Sequence, residues 1–229
     1  MTITVRPMPE QVSPDVQARL ARCETATVGH FENESFMSSD IRAVIPAARV
    51  AGTAVTLRLP NIDATLLSYC LSFVRPGDFL VIDRCGDRKH ACWGAVVSVA
   101  AQVAGVVGFA VDGPTTDFSE QRAIGLPGWC TGPAPLTARR LGDGGAINVP
   151  VGCGGVVVNP GDAILADESG VFVCPAARAG ATADEALRRQ VREPELIARL
   201  RAGEKFADVL GTRRIVEEKL KAQGDQPLG

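Results

Sequence analysis

One segment, residues 79–117, constrains the fold of this 229-residue chain more than any other. It begins with a short apolar run, 79–82, and closes with a second apolar run, 106–111, followed by turn residues. Short β-branched runs bounded by turn residues are typical of buried strands. Between them, residues 92–104 are small and apolar and are long enough for a buried helix. Strand, helix and strand in this order predict a βαβ unit with two parallel strands.

The loops that follow the two predicted strands, 84–91 and 112–117, should leave the same edge of the sheet. Ligands of open α/β folds bind outside the carboxyl ends of the strands. Polar side chains gather in these two loops: Asp83, Arg84, Asp87, Arg88, Lys89, His90, Asp112, Thr115, Thr116 and Asp117. Solvation of ordinary surface loops would give the same composition. The βαβ geometry nevertheless favours a binding site at this edge.

The remaining chain predicts an α/β fold in a single domain, residues 1–229, because no linker or repeat divides it. Asp63 is a candidate N-cap for a helix. Residues 141–175 consist of short apolar runs separated by Gly, Pro, Asn and Asp, which is typical of antiparallel strands and tight turns. The core is expected at about 40–176, followed by a helical C-terminal arm at about 177–221.

Charge and composition exclude several classes of partner. The formal net charge is −2 and aromatic residues make up 5% of the chain, so neither a basic footprint nor a base-stacking platform for nucleic acid is present. No apolar stretch has the length of a signal peptide or a membrane span. We therefore expect a soluble, cytoplasmic protein that binds neither nucleic acid nor membrane.

The seven cysteines predict free thiols, because their number is odd and no two form a Cys-x-x-Cys pair. Most have apolar neighbours and should pack as small hydrophobic side chains. Cys85 differs, because Arg84 and Arg88 in the same loop could lower the pKa of its thiol. A nucleophilic role for Cys85 is one alternative that the sequence leaves open.

Several short motifs follow one another in a fixed order: Gly52-x-Ala54-x-Thr56, Pro76-Gly77-Asp78, Trp93-Gly94, Asp112-Gly113-x-x-x-Asp117, Gly154-Gly155, Pro160-Gly161-Asp162 and Ala166-Asp167-x-x-Gly170. Each motif is weak alone. Together, over about residues 40–176, they resemble the RraA-like family. That family includes the class II 4-hydroxy-4-methyl-2-oxoglutarate/4-carboxy-4-hydroxy-2-oxoadipate aldolases.

The resemblance implies a central β-sandwich with flanking helices, similar to a swivelling phosphohistidine domain (β/β/α). It also implies a homotrimer or a dimer of trimers with sites between subunits. The aldolases of this family cleave a small pyruvate-bearing oxo acid, and many decarboxylate oxaloacetate. A divalent metal cation, Mg²⁺ or Mn²⁺, holds the enolate, which is chemically sensible because a cation stabilises the oxygen where charge develops.

The resemblance also assigns roles to individual positions of this sequence. Asp117 corresponds to the metal-binding carboxylate. The backbone amides that bind the substrate carboxylate correspond to Gly94, Ala95, Val96 and Val97. Three positions depart from the pattern: Thr116 replaces an arginine, Ala95 replaces an acid, and Ala64 replaces an asparagine.

These departures leave the site short of a positive charge and a proton acceptor. We hypothesise that the loop before the helix supplies them beside Asp117 and Thr116, through Arg84, Arg88, Lys89 and His90. The predicted function is a divalent-metal-dependent lyase, an aldolase or oxaloacetate-type decarboxylase, with a non-standard active site. Two alternatives remain: a non-catalytic RraA-like regulator of ribonuclease activity, and a different enzyme on the same scaffold that uses Cys85 or His90.

Overall fold

The computed structural model describes residues 2–226. The strands are β1 (Ile3–Val5), β2 (Arg42–Ala43), β3 (Val50–Arg58), β4 (Asp78–Asp83), β5 (His90–Ala91), β6 (Gly108–Asp112), β7 (Gly128–Cys130), β8 (Leu136–Thr137), β9 (Gly145–Ile147), β10 (Val151–Cys153), β11 (Val156–Val158), β12 (Ala163–Asp167) and β13 (Gly170–Cys174). The helices are α1 (Pro14–Leu20), α2 (Thr25–Val28), α3 (Thr65–Cys70), α4 (Ala95–Val103), α5 (Phe118–Ile124), α6 (Ala176–Gln190), α7 (Glu193–Arg201), α8 (Phe206–Val209) and α9 (Thr212–Gln223).

The chain forms two compact units, the first ending at Ala186 and the second beginning at Leu187. The described residues of the second unit are mainly helical. Helix α6 ends at Gln190, and α7 starts at Glu193 with Pro194 in its first turn. No helix among the described residues has the length and apolarity to cross a membrane.

The predicted βαβ unit is confirmed by the pairing of β4 with β6. The two strands are parallel neighbours, in register from Phe79 opposite Gly108 to Asp83 opposite Asp112. Helix α4 connects them but begins at Ala95, three residues later than predicted. Before the helix, His90 and Ala91 form the short strand β5, which pairs with β8. Residues 92–94 connect this strand to the helix.

The main sheet is mixed, with the order β1-β9-β3-β4-β6-β7-β2 and with β12 and β13 attached through β3. Strand β3 pairs in parallel with β4 and antiparallel with β9 and β12. The antiparallel pairs predicted for residues 141–175 are present as β10 with β11 and β12 with β13. These pairs build the mixed α/β fold with a central sheet and flanking helices.

Residues 79–82 of β4 are apolar without interruption and buried on both faces of the sheet, as expected for a covered parallel strand. Leu80 and Ile82 of β4 pack with Trp93 on the face that carries α3 and α4. Phe79 and Val81, which alternate with them, pack on the other face with residues of β10–β13. The sheet therefore holds the loops after β4 and β6 on a rigid base.

The N-cap of α3 is Ala64 rather than the predicted Asp63, but the Asp63 carboxylate binds the first helical residue and joins two distant segments. Its Oδ1 accepts hydrogen bonds from Thr65 N at 2.8 Å, Thr65 Oγ1 at 2.6 Å and Leu141 N at 3.1 Å. Its Oδ2 accepts one from Asp143 N at 2.7 Å. Burial alone would raise the pKa of Asp63, but these donors outweigh it and lower the pKa to about 2.

Candidate active site

The loops after β4 and β6 contact each other at the carboxyl edge of the sheet. A Cβ atom on Gly113 would lie 2.7 Å from Arg84 Cγ and 3.1 Å from the Asp87 carbonyl oxygen. Arg88 also forms an ion pair with Asp112 across the loops, with 2.7 Å between Nη1 and Oδ1. The shared edge expected from the βαβ geometry is therefore present.

Asp117 lies at the end of this edge, in the left-handed backbone region at φ 57° and ψ 44°, with an exposed side chain. Its Oδ2 accepts a hydrogen bond from the backbone N–H of Ala95 at 3.0 Å. Its Oδ1 accepts one from the Thr116 hydroxyl at 3.1 Å. Helix α4 has Gly94 at its N-cap, which has no capping side chain, so Asp117 supplies the cap from the neighbouring loop.

Gly94 makes this close approach possible. A Cβ atom at Gly94 would lie 2.5 Å from Asp117 Oδ2 and 2.9 Å from Thr116 Cγ2. Real Cβ atoms do not approach a carboxylate oxygen so closely, hence a larger residue would displace the side chain of Asp117. Sequence and structure agree that Gly94, Ala95, Thr116 and Asp117 meet at one point.

The first turn of α4 adds backbone donors beside the carboxylate. The N–H groups of Val96 and Val97 belong to this turn, where helix geometry provides no carbonyl partner. Together with the helix dipole they favour a bound anion. The side chain of Val96 is 84% exposed, so the turn is open to ligand.

The backbone under Asp117 is held by Gln121, a residue that the sequence analysis did not identify. Gln121 is 1% exposed, and its Nε2 donates to Thr115 Oγ1 at 3.2 Å and to the Thr116 carbonyl oxygen. Its backbone N–H also donates to the Asp117 carbonyl oxygen at 2.8 Å. A glutamine on the inner face of a short helix, four residues after Asp117, was the available signal.

Trp93 fixes the other side of the site. Its carbonyl oxygen accepts from Thr116 N at 2.9 Å, and its ring stacks on Phe109 with 3.9 Å between centroids. Its Nε1 donates to Ser98 Oγ at 2.8 Å, and Ser98 Oγ donates to the Gly94 carbonyl oxygen at 3.0 Å. The backbone at Gly94 and the loop that carries Thr116 are therefore both held by hydrogen bonds that involve one buried aromatic residue.

The expectation that Arg84 supplies charge to the site is wrong for this chain. Arg84 is fully buried, and its guanidinium donates to the carbonyl oxygens of Leu59, Asn61 and Asp63 and to Asp87 Oδ2. A guanidinium facing inward among carbonyl groups cannot contact a ligand at the exposed Asp117. Its role is to hold the loops that follow β3 and β4.

His90 is half-buried and is paired with Asp87, with 2.9 Å between Nδ1 and Asp87 Oδ2. Burial alone would raise the pKa of Asp87. The combined effect of its partners is larger and lowers the pKa overall; these partners are the N–H groups of Lys89 and His90, the His90 ring and Arg84. The Asp87 contact orients the ring and leaves Nε2 as its other nitrogen. The predicted catalytic role of His90 remains a prediction.

The thiol of Cys85 is not activated. Burial and the nearby Asp83 raise its pKa above the usual value, outweighing the opposing effects of Arg58 and Arg84. The expectation that neighbouring arginines lower this pKa is wrong, because the upward shift from burial of the thiol is the larger effect. All seven cysteines are free thiols, as predicted.

Within residues 2–226, no group of three or more His, Cys, Asp or Glu side chains is arranged to hold a metal ion. A closed structural zinc site is thereby excluded for this part of the chain. The donor set around Asp117 consists of one exposed carboxylate, with Glu120 exposed in the next turn. Hard cations that keep most of their water ligands are bound by such sparse carboxylate sets.

Comparisons with known proteins agree with this fold. A family model described as "RraA-like: Aldolase/RraA" matches residues 21–173. A relative from Halalkalibacterium halodurans, named "Putative 4-hydroxy-4-methyl-2-oxoglutarate aldolase", is 35% identical over 139 residues, which are 61% of this chain and 66% of the relative. One from Arabidopsis thaliana, named "Putative 4-hydroxy-4-methyl-2-oxoglutarate aldolase 3", is 29% identical over 67% of this chain and 96% of its own length.

Among solved structures, Streptomyces coelicolor RraAS2 superposes with a TM-score of 0.71 at 30% identity, covering 82% of this chain and 98% of that one. That protein is described as an unusual member of the RNase ES inhibitor RraA protein family. The relatives' names thus point to two kinds of activity, aldol cleavage and ribonuclease inhibition. The geometry around Asp117 must decide between them.

Proposed function

Because the chain belongs to the RraA-like family, we propose that it is a divalent-metal-dependent lyase acting on a small pyruvate-bearing oxo acid. The observation that carries the proposal is the position of the exposed Asp117 carboxylate against the open first turn of α4. A carboxylate next to free backbone amides can bind a cation and an anion side by side. A chelated oxo acid and its metal ion require that combination.

Asp117 fits a hard cation such as Mg²⁺ or Mn²⁺. Its Oδ1 has one hydrogen bond, from the Thr116 hydroxyl, and the side chain is exposed, so water ligands have room. Such a cation supplies electrostatic stabilisation of the oxygen that becomes negative when a carbon–carbon bond beside a ketone breaks. The residues of the chain provide position and the remaining contacts.

In this proposal the N–H groups of Val96 and Val97 bind the carboxylate of the substrate, helped by the dipole of α4. Gly94 keeps the approach to Asp117 open, and Ala95 N fixes the direction of its carboxylate. His90, oriented by Asp87 through Nδ1, accepts or returns the proton at Nε2. Thr116 contributes a hydroxyl where a positive charge would stabilise the reaction more strongly, which predicts a slower or altered reaction.

The expected assembly is a homotrimer or a dimer of trimers. An apolar stripe on α4, formed by Val96, Val99 and Val103 at 84%, 46% and 83% exposure, supports association of copies beside the site. Sedimentation equilibrium measures the number of subunits directly. A monomer at all concentrations contradicts this part of the proposal.

The test compares the wild type, Asp117→Asn and, as a matched control, Asp40→Asn on an exposed loop. Isothermal calorimetry measures Mn²⁺ binding, and pyruvate release is followed with 4-hydroxy-4-methyl-2-oxoglutarate and with oxaloacetate. We expect Asp117→Asn to weaken Mn²⁺ binding at least about tenfold and to reduce turnover by about two to three decades. The proposal fails if no oxo acid turns over and Mn²⁺ binding is unchanged by Asp117→Asn.

A second function, binding of a ribonuclease without catalysis, is favoured by one observation. Arg84 is fully buried and its Nη1 and Nη2 donate within the protein, so this arginine does not replace the positive charge that is missing at Thr116. An abandoned site would look the same. Inhibition of a purified ribonuclease of the E/ES type by both wild type and Asp117→Asn, without oxo-acid turnover, would establish this function instead.

A further inference from the structure

A cavity of about 320 Å³ lies in the first compact unit. Its lining shares no residue with the Asp117 site. The N-terminal segment 5–8 forms one wall, Tyr69 and Phe73 form another, and Asn148 also lines it. Its volume is within the range of small-molecule sites, and its lining is mainly apolar. Segment 5–8 lies outside the family match at 21–173, so this wall is not part of the shared family region.

Asn148 holds the N-terminal wall in place. Its Nδ2 donates to the Pro7 carbonyl oxygen at 3.1 Å and to the Arg6 carbonyl oxygen at 3.4 Å. The residue is 5% exposed and has a φ of 56°, in the left-handed region that asparagine tolerates better than most residues. Its Oδ1 is buried and accepts no hydrogen bond from residues 2–226.

A buried acceptor without a hydrogen bond is destabilising, and in a native structure it calls for a structural or functional explanation. Attachment of the N-terminal strand does not require it, because β1 already pairs with β9 in parallel register. The unsatisfied acceptor is understandable if segment 5–8 must keep a defined shape as the wall of a binding site.

The side chains that face the cavity have the character of ligand contacts. Tyr69 and Phe73 are each 50% exposed, and their ring centroids lie 4.9 Å apart at an interplanar angle of 53°. Arg6 is exposed, and its guanidinium has no hydrogen-bond or ion-pair partner within the described part of the chain. An aromatic surface beside an uncommitted guanidinium suits a ligand with a flat apolar body and one anionic end.

We propose that this cavity binds a small aromatic carboxylate, with its ring against Tyr69 and Phe73 and its carboxylate on the Arg6 guanidinium. Arginine binds carboxylates through two parallel N–H donors, so the contact fixes direction as well as adding affinity. The cavity is distinct from the Asp117 site, and the proposal does not depend on the proposed lyase activity.

The test uses the full chain with benzoate as the probe and benzyl alcohol as a neutral probe of nearly the same shape. Calorimetry and ligand-observed NMR measure binding to the wild type, Arg6→Gln, Phe73→Ala and the control Arg140→Gln, which changes an exposed arginine elsewhere. We expect Arg6→Gln to weaken the affinity for benzoate at least about tenfold and to change the affinity for benzyl alcohol less than about twofold. Phe73→Ala should weaken both probes, and Arg140→Gln should weaken neither.

Two results would overturn the proposal. One is the absence of benzoate binding up to about 10 mM, or binding that Arg6→Gln and Phe73→Ala leave unchanged. The other is a fall in subunit number on Phe73→Ala with benzoate binding unchanged, which would show that a second copy of the chain covers this face. Circular dichroism melting of each variant distinguishes loss of the site from loss of the fold, and Mn²⁺ titration monitors the Asp117 site independently.

Discussion

The loops after β4 and β6 have similar polar compositions, but the fold uses them in opposite ways. In the loop 84–91, Arg84 is buried among carbonyl oxygens and Asp87 accepts hydrogen bonds from Lys89 N, His90 N and the His90 ring. In the loop 112–117, Asp117 is exposed and its carboxylate accepts two of the described hydrogen bonds. A buried charge that is paired within the fold maintains structure, whereas an exposed carboxylate with few partners remains available to a ligand.

The largest expected effect on stability comes from replacing the buried Arg84 in the loop 84–91. Arg84→Met would remove the guanidinium that donates to Asp87 and to the carbonyl oxygens of Leu59, Asn61 and Asp63, and should lower the free energy of unfolding by about 3–5 kcal/mol. Urea denaturation measures the change. Arg88→Met is the matched control, because its ion pair with Asp112 is 56% exposed on the arginine side and should contribute less than about 1 kcal/mol. Equal losses in the two variants would contradict the distinction between the loops.

Asp63 extends the comparison to a carboxylate that is more fully satisfied than Asp117. Its pKa is lowered from 3.8 to about 2, so its contribution to stability is complete above pH 4 and is lost as the pH falls towards 2. Asp63→Asn should lower the free energy of unfolding by about 2 kcal/mol at neutral pH. The carboxylate accepts from Leu141 N through one oxygen and from Asp143 N through the other, whereas the amide nitrogen of asparagine accepts no hydrogen bond. Urea titrations between pH 2 and pH 6 should therefore show the wild type and the variant converging in acid. Parallel curves would mean that Asp63 does not titrate in this window.

Gly94→Ala tests whether the open loop can lose its function without losing the fold. The new Cβ would collide with Asp117 Oδ2, the free end of an exposed side chain, which can rotate away. We expect about 1 kcal/mol or less of destabilisation and at least about tenfold weaker Mn²⁺ binding, measured by denaturation and calorimetry. Gly152→Ala is the control, since nothing lies within 4 Å of its added Cβ. Unchanged Mn²⁺ binding in Gly94→Ala would argue against Asp117 as the metal ligand.

The smallest expected effect on stability is that of Asp117→Asn. The amide oxygen of asparagine can keep the cap on Ala95 N, and asparagine tolerates the left-handed backbone, so the free energy of unfolding should change by less than about 0.5 kcal/mol. Thermal melting compared with Asp117→Ala, which loses the cap, measures the difference. A large loss in Asp117→Asn would mean that Asp117, like Arg84, is part of the framework.

The sequence predicted the features that depend on short-range patterns. Apolar runs and turn residues were enough to predict the βαβ unit and its parallel strands, which depend on residues within about 40 positions of one another. The order of the family motifs over about residues 40–176 was enough to predict the central sheet with its flanking helices. The same resemblance assigned Gly94 and Asp117 to one site, and the structure places them in contact.

The failures involve partners that are distant in the chain. Arg84 follows a strand directly and could have turned either way; carbonyl oxygens of Leu59, Asn61 and Asp63, about 20 to 25 residues earlier, direct it inward. The pairing of β1 with β9 joins three residues at the N-terminus to a segment more than 140 positions away. Gln121 was missed because a glutamine in a short helix usually faces solvent.

The cap that Asp117 places on α4 has an electrostatic consequence. The amino end of a helix has a partial positive charge, which opposes a cation beside it and attracts an anion. A divalent ion arriving alone is therefore disfavoured, and one arriving with oxalate is not. Thermodynamic linkage requires that Mn²⁺ and oxalate raise each other's affinity by the same factor. The affinity for Mn²⁺ should therefore rise with oxalate concentration, and the affinity for oxalate should rise with Mn²⁺ concentration.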